Sequence, residues 1–265
     1  MHYAVSGAIT MSENFITSIK DRTKKYQLVV VMPAYNEAEH ITENLLKAAE
    51  IIASFQDDFS IIAVNDGSSD ETAKKIAEAS NINSHIQYIS YSKNKGKGGA
   101  IKEGVEYANG EYVAFLDSDL ELPPIMLKDF INDLKLFDAQ VAIGSKLHKD
   151  SKLHYPIIRR IMSMGYYIML KMLFNLKIKD TQTGIKVFKQ DVIKPICKNL
   201  ITTGFAFDIE ILATASKMGC KIIEMPITLN FSRERREKSR MTLKTIINVF
   251  KDTLRIKKHI RNIKF

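Results

Sequence analysis

The sequence predicts an α/β fold: a mainly parallel central sheet with helices on both faces. Two observations predict it. Short apolar runs alternate five times with segments of helical periodicity, the pattern of strands joined by crossover helices. Each run also ends in a turn rich in carboxylates, lysines or glycines. In such sheets ligands bind at the carboxyl ends of the strands. Unrelated turns would be scattered between both edges, whereas these five fall on one.

The elements follow in order. "QLVVVMP" (27–33) is an apolar run closed by proline, hence a buried strand. "EAEHITENLLKAAEIIASF" (37–55) sets Ile41, Leu45, Ala48, Ile51 and Ile52 at helical spacing. "FSIIAVND" (59–66) is the second strand, and "SSDETAKKIAEAS" (68–80) a helix opened by Ser and Asp as cap candidates. "IQYISYS" (86–92) is the third strand, followed by the helix "KGGAIKEGVEYAN" (97–109), stopped by Gly110. "EYVAFLD" (111–117) is the fourth strand, followed by "PPIMLKDFINDLKLF" (123–137), a helix with proline at its start. "AQVAIGS" (139–145) is the fifth. Beyond residue 146 a helix is expected over 205–219, a strand over 221–231 and a basic amphipathic helix near the C-terminus. The last carries Leu243, Ile246, Ile247, Phe250 and Leu254 on one stripe.

The formal net charge of +9 is localised. Residues 231–265 hold twelve Lys/Arg against three acids, while the other 230 residues balance. The segment therefore points to an anionic partner. Cys197 and Cys220 make no disulfide framework and read as buried thiols, which fits a reducing compartment. No apolar run reaches the length of a membrane span, and the first residues lack a signal-peptide layout.

Each turn has a functional and a bland reading. In "PAYNE", Tyr35 is suited to stack on a base and Glu37 to accept from base or ribose. The alternative is a helix start capped by Asn36. In "VNDGSSDET", Asp66 is placed to read a base or a ribose, or is plain turn chemistry. "NKGKGG" fails both the dinucleotide fingerprint and the P-loop pattern. Its glycines still allow close backbone approach, with Lys95 or Lys97 facing an anion, or they simply lead into a helix. "DSDLE" carries Asp117, Ser118, Asp119 and Glu121. Crowded carboxylates repel, and alternate oxygen ligands suit Mg²⁺ or Mn²⁺ completed by substrate phosphates, against the alternative of a solvated turn.

Taken in order, "VVVMPAYNE", "VNDGSSDET", "NKGKGGA", "FLDSDLELPP" and "GSK" resemble the family 2 glycosyltransferases of the GT-A type. The likeness continues through "YPIIRRIMSMG", "DTQTGIKVF", "GFAFDIEIL" and "REKSRM", covering roughly residues 27–243. Within that family the second half looks like the polyprenyl-phosphate sugar synthases. "NKGKGGA" and "DTQTGIK" look more like the branch that uses UDP-glucose than the GDP-mannose branch. The resemblance implies a GT-A (Rossmann-like) domain over 27–240, after an N-terminal extension of 1–26. It implies an amphipathic acceptor segment near 155–178, and 241–265 forms a basic helix. It also implies an inverting, metal-dependent transfer of a sugar from a nucleotide diphosphate to a lipid phosphate.

Residue by residue, Pro33, Tyr35, Glu37 and Asp66 would hold the nucleotide, with Asp117 and Ser118 against ribose and diphosphate. Asp119 and Glu121 would ligate Mg²⁺ or Mn²⁺; a Gln is frequent at the second position, so Glu121 is a departure. Arg159 and Ser163 would grip the acceptor phosphate. Lys146 replaces a frequent Arg, keeping the charge but losing the fork. Arg235 and Arg240 would close over the diphosphate, in a loop that lacks the usual Gly and is a residue short. Asp180 stands where the family keeps an acid near the reaction centre.

Polysaccharide synthases of the family carry a Glu-Asp base motif and a Gln-x-x-Arg-Trp motif. This chain has no Trp and no Glu-Asp pair. A sugar hydroxyl needs a general base, but a phosphate is already an anion. The expected partners are a nucleotide sugar, a polyprenyl phosphate and the cytoplasmic face of a membrane held peripherally, with a second subunit as the other cover for 155–178. Rival readings are a hydroxyl-acceptor transferase, a nucleic-acid-binding module and a dead scaffold. The basic tail lacks the interleaved aromatics of nucleic-acid binding, and the intact acidic ladder argues against a scaffold.

Overall fold

The computed structural model of the 265-residue chain describes residues 15–19, 21–151, 171, 173–174, 176, 178–204, 206–228 and 243–263. These include eight strands in one sheet: β1 (Phe15–Thr17), β2 (Tyr26–Ala34), β3 (Phe59–Asp66), β4 (Ile86–Tyr91), β5 (Gly110–Phe115), β6 (Val141–Ser145), β7 (Lys186–Lys189) and β8 (Ile222–Pro226). Their spatial order is β1-β4-β3-β2-β5-β7-β6-β8. Strands β2 to β5 are mutually parallel, and β6 is parallel to β8. Because β5 and β6 both run antiparallel to β7, six strands point one way. The five chemistry-bearing turns therefore share one edge, as the alternation predicts.

Seven helices lie among the described residues: α1 (Ile41–Ala53), α2 (Thr72–Ile82), α3 (Lys97–Tyr107), α4 (Met126–Leu136), α5 (Gln190–Lys198), α6 (Phe207–Lys217) and α7 (Leu243–Asn262). Strand side chains alternate between faces, and both faces here are apolar. Leu28, Val30 and Met32 pack with α1, α2 and α4. Val29 and Val31 pack with α3, α5, α6 and α7. All eight residues of β3 are buried, as a central parallel strand requires.

Four differences from the sequence reading have physical causes. The first helix begins at Ile41 rather than 37, after a turn over 38–40 in which the Glu37 carbonyl accepts from both the His40 and the Ile41 N–H. Gly110 opens β5 instead of stopping α3, which ends on an extended Ala108. Within the expected N-terminal extension, β1 pairs antiparallel with β4. The segment "GIKVFK" supplies β7, an antiparallel wedge between β5 and β6 that the alternation does not announce.

The C-terminal helix departs from the expected stripe at Leu254; the side chains of the other four positions, 243, 246, 247 and 250, lie outside those described. Thr253, Ile256 and Ile260 are buried against the domain, whereas Leu254 is 46% exposed. Lys217 Nζ donates to the carbonyls of Ile260 (2.5 Å) and Ile263 (2.8 Å), satisfying last-turn acceptors. Most of 155–178 lies outside the described residues, but Leu176 and Ile178 are buried in the α3-side core. No described helix is long and apolar enough to cross a membrane.

Truncating Ile256 or Ile260 to Ala should cost about 2–5 kcal/mol if α7 belongs to the core. A urea titration that shows no drop in midpoint for either variant would place the helix elsewhere.

Candidate active site

The first two edge turns are stapled to each other. The Asn36 N–H donates to Ser68 Oγ (3.0 Å), and the Ser69 N–H donates back to Asn36 Oδ1 (2.9 Å). The Glu37 N–H donates to Thr72 Oγ1 (2.8 Å) and the Ala38 N–H to Asp70 Oδ2 (3.2 Å). Asn36 is thus a bridge between loops and not the cap of α1, whose N-cap position is His40. Tyr35 is left 46% exposed, and Pro33 is partly buried at the end of β2.

Asp66 ends β3 almost fully buried. Its Oδ1 accepts from Tyr91 Oη and from the Lys95 N–H, both at 2.8 Å. Asn94 Nδ2 donates to the Asp66 carbonyl at 3.0 Å. The carboxylate is therefore oriented by the neighbouring strand and by the glycine-rich loop together.

That loop is built around close approach. Gly96 has φ +80°, and a Cβ on it would fall 2.6 Å from the Thr203 carbonyl oxygen. The same oxygen accepts from the Gly98 N–H at 2.9 Å, so one N–H at the start of α3 is spent on the protein. Residues 201–203 are in turn held by buried Glu210, which accepts from the Ile201 and Thr202 N–H groups at 2.9 Å each. His259 of α7 reaches this support, with Nε2 2.9 Å from the Asn199 carbonyl oxygen and 3.8 Å from Glu210 Oε1. Lys95 pairs with Glu103 (2.5 Å) and Lys97 with Asp117 (2.6 Å).

The acidic ladder follows β5. Asn44 of α1 donates to the Ser118 carbonyl (2.8 Å), fixing the backbone of the turn. Any side chain at Gly184 would collide with the Asp117 carboxylate, so the glycine of "TQTGIK" is the space that Asp117 occupies. Buried Lys186 pairs with Asp208 Oδ1 at 2.6 Å. Burial would lower the Lys97 ammonium, but Asp117, Asp208 and Asp119 together hold it above its ordinary value. Burial pushes the Asp208 carboxyl up, while Lys186 and Lys97 pull the other way. Lysine and aspartate thus alternate along the string Lys186, Asp208, Lys97, Asp117.

Asp119 and Glu121 flank a left-handed Leu120 (φ 53°), and the Glu121 N–H donates to Asp119 Oδ1 (3.2 Å). Among the described residues no third carboxylate, histidine or cysteine joins them in a protein-only metal cage. Asp180 is occupied on both oxygens. Oδ2 accepts from the Lys146 N–H (2.9 Å) and Thr183 Oγ1 (3.0 Å), and Oδ1 from the Gln182 N–H (3.0 Å). It ties the turn after β6 to the entry of β7. Arg159, Ser163, Arg235 and Arg240 lie outside the described residues.

The structure therefore brings Asp66, Lys97, Asp117, Ser118, Asp119, Glu121, Lys146 and Asp180 to one edge, beside Pro33, Tyr35 and Glu37. Sequence reasoning passed over Asn44, Tyr91, Gly184, Lys186 and Asp208. A signal existed for two of them: a lysine inside "GIKVF" and an aspartate inside "FAFDIEIL" are charges in apolar runs, which are seldom buried unless paired.

Lys186→Met leaves Asp208 buried without its partner and should cost about 3–5 kcal/mol of stability. The folded-state pKa of Asp208 is then raised further, so the folded form binds the extra proton. The loss should grow as pH rises above the ordinary Asp range. Thermal melts at acidic and neutral pH check both the size and the sign.

The model described as Glycosyl transferase family 2 matches residues 29–197. A dolichyl-phosphate beta-glucosyltransferase of Trichomonas vaginalis is 31% identical over 97% of this chain and 80% of its own length. The dolichyl-phosphate beta-glucosyltransferase of Homo sapiens is 30% identical over 80% of this chain and 69% of its own. Among solved structures, glucosyl-3-phosphoglycerate synthase from Mycobacterium tuberculosis, in complex with Mn²⁺ and UDP-glucose, superimposes with a TM-score of 0.61. It covers 91% of this chain and 80% of that one at 16% identity, a likeness of fold.

Proposed function

The chain belongs to glycosyl transferase family 2, and from that premise we propose that it moves glucose from UDP-glucose to a polyprenyl phosphate of the dolichyl type. The observation that carries this reading is the single edge where Asp66, the Lys97–Asp117 pair and the Asp119–Glu121 ladder converge. Its relatives in the Trichomonas and human comparisons are glucosyltransferases of that description.

In this reading Pro33, Tyr35, Glu37 and Asp66 hold the nucleotide. Asp117, Ser118 and Lys97 lie along ribose and diphosphate. Asp119 and Glu121 would hold Mg²⁺ or Mn²⁺ as hard-oxygen donors, together with phosphate and water. Held there, the cation would supply charge neutralisation for the departing diphosphate. Arg235 and Arg240 close over the same group. Arg159, Ser163 and Lys146 align the acceptor phosphate for in-line displacement with inversion at the anomeric carbon. Asp180 positions the Lys146 backbone.

The chemistry of the acceptor fits the state of the site's acids. Asp117, Asp180 and Asp208 are each committed to protein donors, so none is poised as a general base. A phosphate nucleophile needs none. The outer face of α7 adds exposed Arg255, Lys257, Lys258 and Arg261. We assign that face to anionic headgroups on the membrane bearing the acceptor, each basic residue contributing about 1 kcal/mol near such a surface.

Purified protein offered polyprenyl phosphate should use UDP-glucose in preference to GDP-mannose, and Asp119→Ala should lower kcat by about 100-fold or more. Transfer from GDP-mannose alone, or to a sugar hydroxyl alone, would reassign the substrate. In flotation with vesicles containing anionic lipid, the double variant Lys257→Glu, Lys258→Glu should bind measurably less than wild type, and wild-type binding should weaken with added salt. Equal flotation of both proteins at every salt concentration would remove α7 from the membrane contact.

A further inference from the structure

We propose that Tyr91 is a positioning residue that sets nucleobase specificity, by leaving Asp66 a single oxygen with which to read the base. The proposal rests on the donor-site reading above. It begins from the register of the sheet, which sets Asp66 of β3 directly beside Tyr91 of β4.

A carboxylate has about four lone-pair sites, two on each oxygen. Asp66 spends both sites of Oδ1 on the protein, accepting from Tyr91 Oη and the Lys95 N–H at 2.8 Å each. Oδ2 has no protein partner among the described residues. Asp66 keeps 3% of its surface exposed at the strand end. The phenol is held firmly in its donor role. Burial first, and then the bond to Asp66, keep its proton on well above the ordinary tyrosine range. On the ring's face, Lys95 Nζ stands 4.5 Å from the centroid and is itself tied to Glu103.

Base chemistry then discriminates. Uracil presents one imide N–H between two carbonyls, so one acceptor oxygen satisfies its only donor. Guanine presents two adjacent donors, N1–H and N2–H, which match both oxygens of a carboxylate in a parallel fork. With Oδ1 saturated, the fork is unavailable and one guanine donor goes unpaired on binding, a disadvantage of about tenfold or more. Cytosine carries an acceptor at N3 and is repelled by the same oxygen.

The geometry also predicts what an amide would do at this position. In Asp66→Asn, Tyr91 Oη and the Lys95 N–H both donate, so they draw the amide oxygen to their side. The amide nitrogen then faces the base. A donor in that place opposes the uracil N3–H and pairs with cytosine N3. Tyr91→Phe acts differently. It keeps the ring but returns one lone pair to Oδ1, which partly restores the fork for guanine.

Calorimetric titration of UDP, CDP and GDP, with Mn²⁺ present, into the full chain and its two variants tests this. Wild type should bind UDP tightest. Tyr91→Phe should narrow the UDP-over-GDP preference by about fivefold or more, read as the ratio of the two dissociation constants. Asp66→Asn should bind CDP more tightly than UDP, a reversal that general loosening of the loop cannot produce. If wild type prefers UDP, but Asp66→Asn still does so and Tyr91→Phe leaves the UDP:GDP ratio unchanged at an unaltered melting temperature, this proposal is overturned alone. A wild type that binds no nucleoside diphosphate overturns the donor-site reading and this proposal with it.

Discussion

Compensation of charge at one sheet edge is the constraint on which the rest of this structure depends. Six strands deliver their carboxyl ends to the same place, and aspartates stand after β3, after β5 and at the entry to β7. Such a group holds together only if cations are interleaved. Lys97 and Lys186 supply them, each 2.6 Å from its aspartate. Their placement dictates much else. Gly184 must lack a side chain because Asp117 fills the space, and α6 must lie close enough for Asp208 to meet Lys186. The buried pair at the rear thus supports the exposed pair at the front.

The glycine-rich loop is supported from outside the sheet. Thr203 receives the start of α3, Glu210 holds the segment containing Thr203, and His259 links that segment to α7. The C-terminal helix is therefore joined to the glycine-rich loop through three successive contacts. Its basic outer face and its packed inner face serve different ends. Burial of Ile256 and Ile260 fixes the orientation in which Lys257, Lys258 and Arg261 are presented to solvent.

Much of this was legible in the residues. Five strands, four helices and the shared edge follow from apolar runs and their periodicity, and most candidate site residues converge as expected. What stayed hidden depends on tertiary partners. The β7 wedge is four residues long, too short for periodicity to mark, and it runs against its neighbours. Tyr91 reads as an ordinary strand tyrosine until the register of β4 sets it beside Asp66. Asp180 reads as an acid near the reaction centre, and its partners Lys146, Gln182 and Thr183 are set by the fold and not by the local sequence. In α7 the stripe chosen by composition included Leu254, whereas Thr253 faces the core because the polar residue falls in the phase that packing selects. The arginines expected at the acceptor and diphosphate lie outside the described residues.

The position of β7 has a consequence for the order in which the protein can assemble. Strands β5 and β6 are near in sequence but do not touch; the gap between them is filled by residues 186–189. During synthesis the four parallel strands β2 to β5 can zip together once residue 115 has emerged. Strand β6 then has no bonded neighbour on the β5 side until more than forty further residues have been made. Its apolar side chains, Val141 and Ile143, must wait for that stretch to return. The acidic ladder therefore meets Lys97 early, but the Lys186–Asp208 pair behind it arrives only with the second half of the chain, the half that the resemblance assigns to the acceptor.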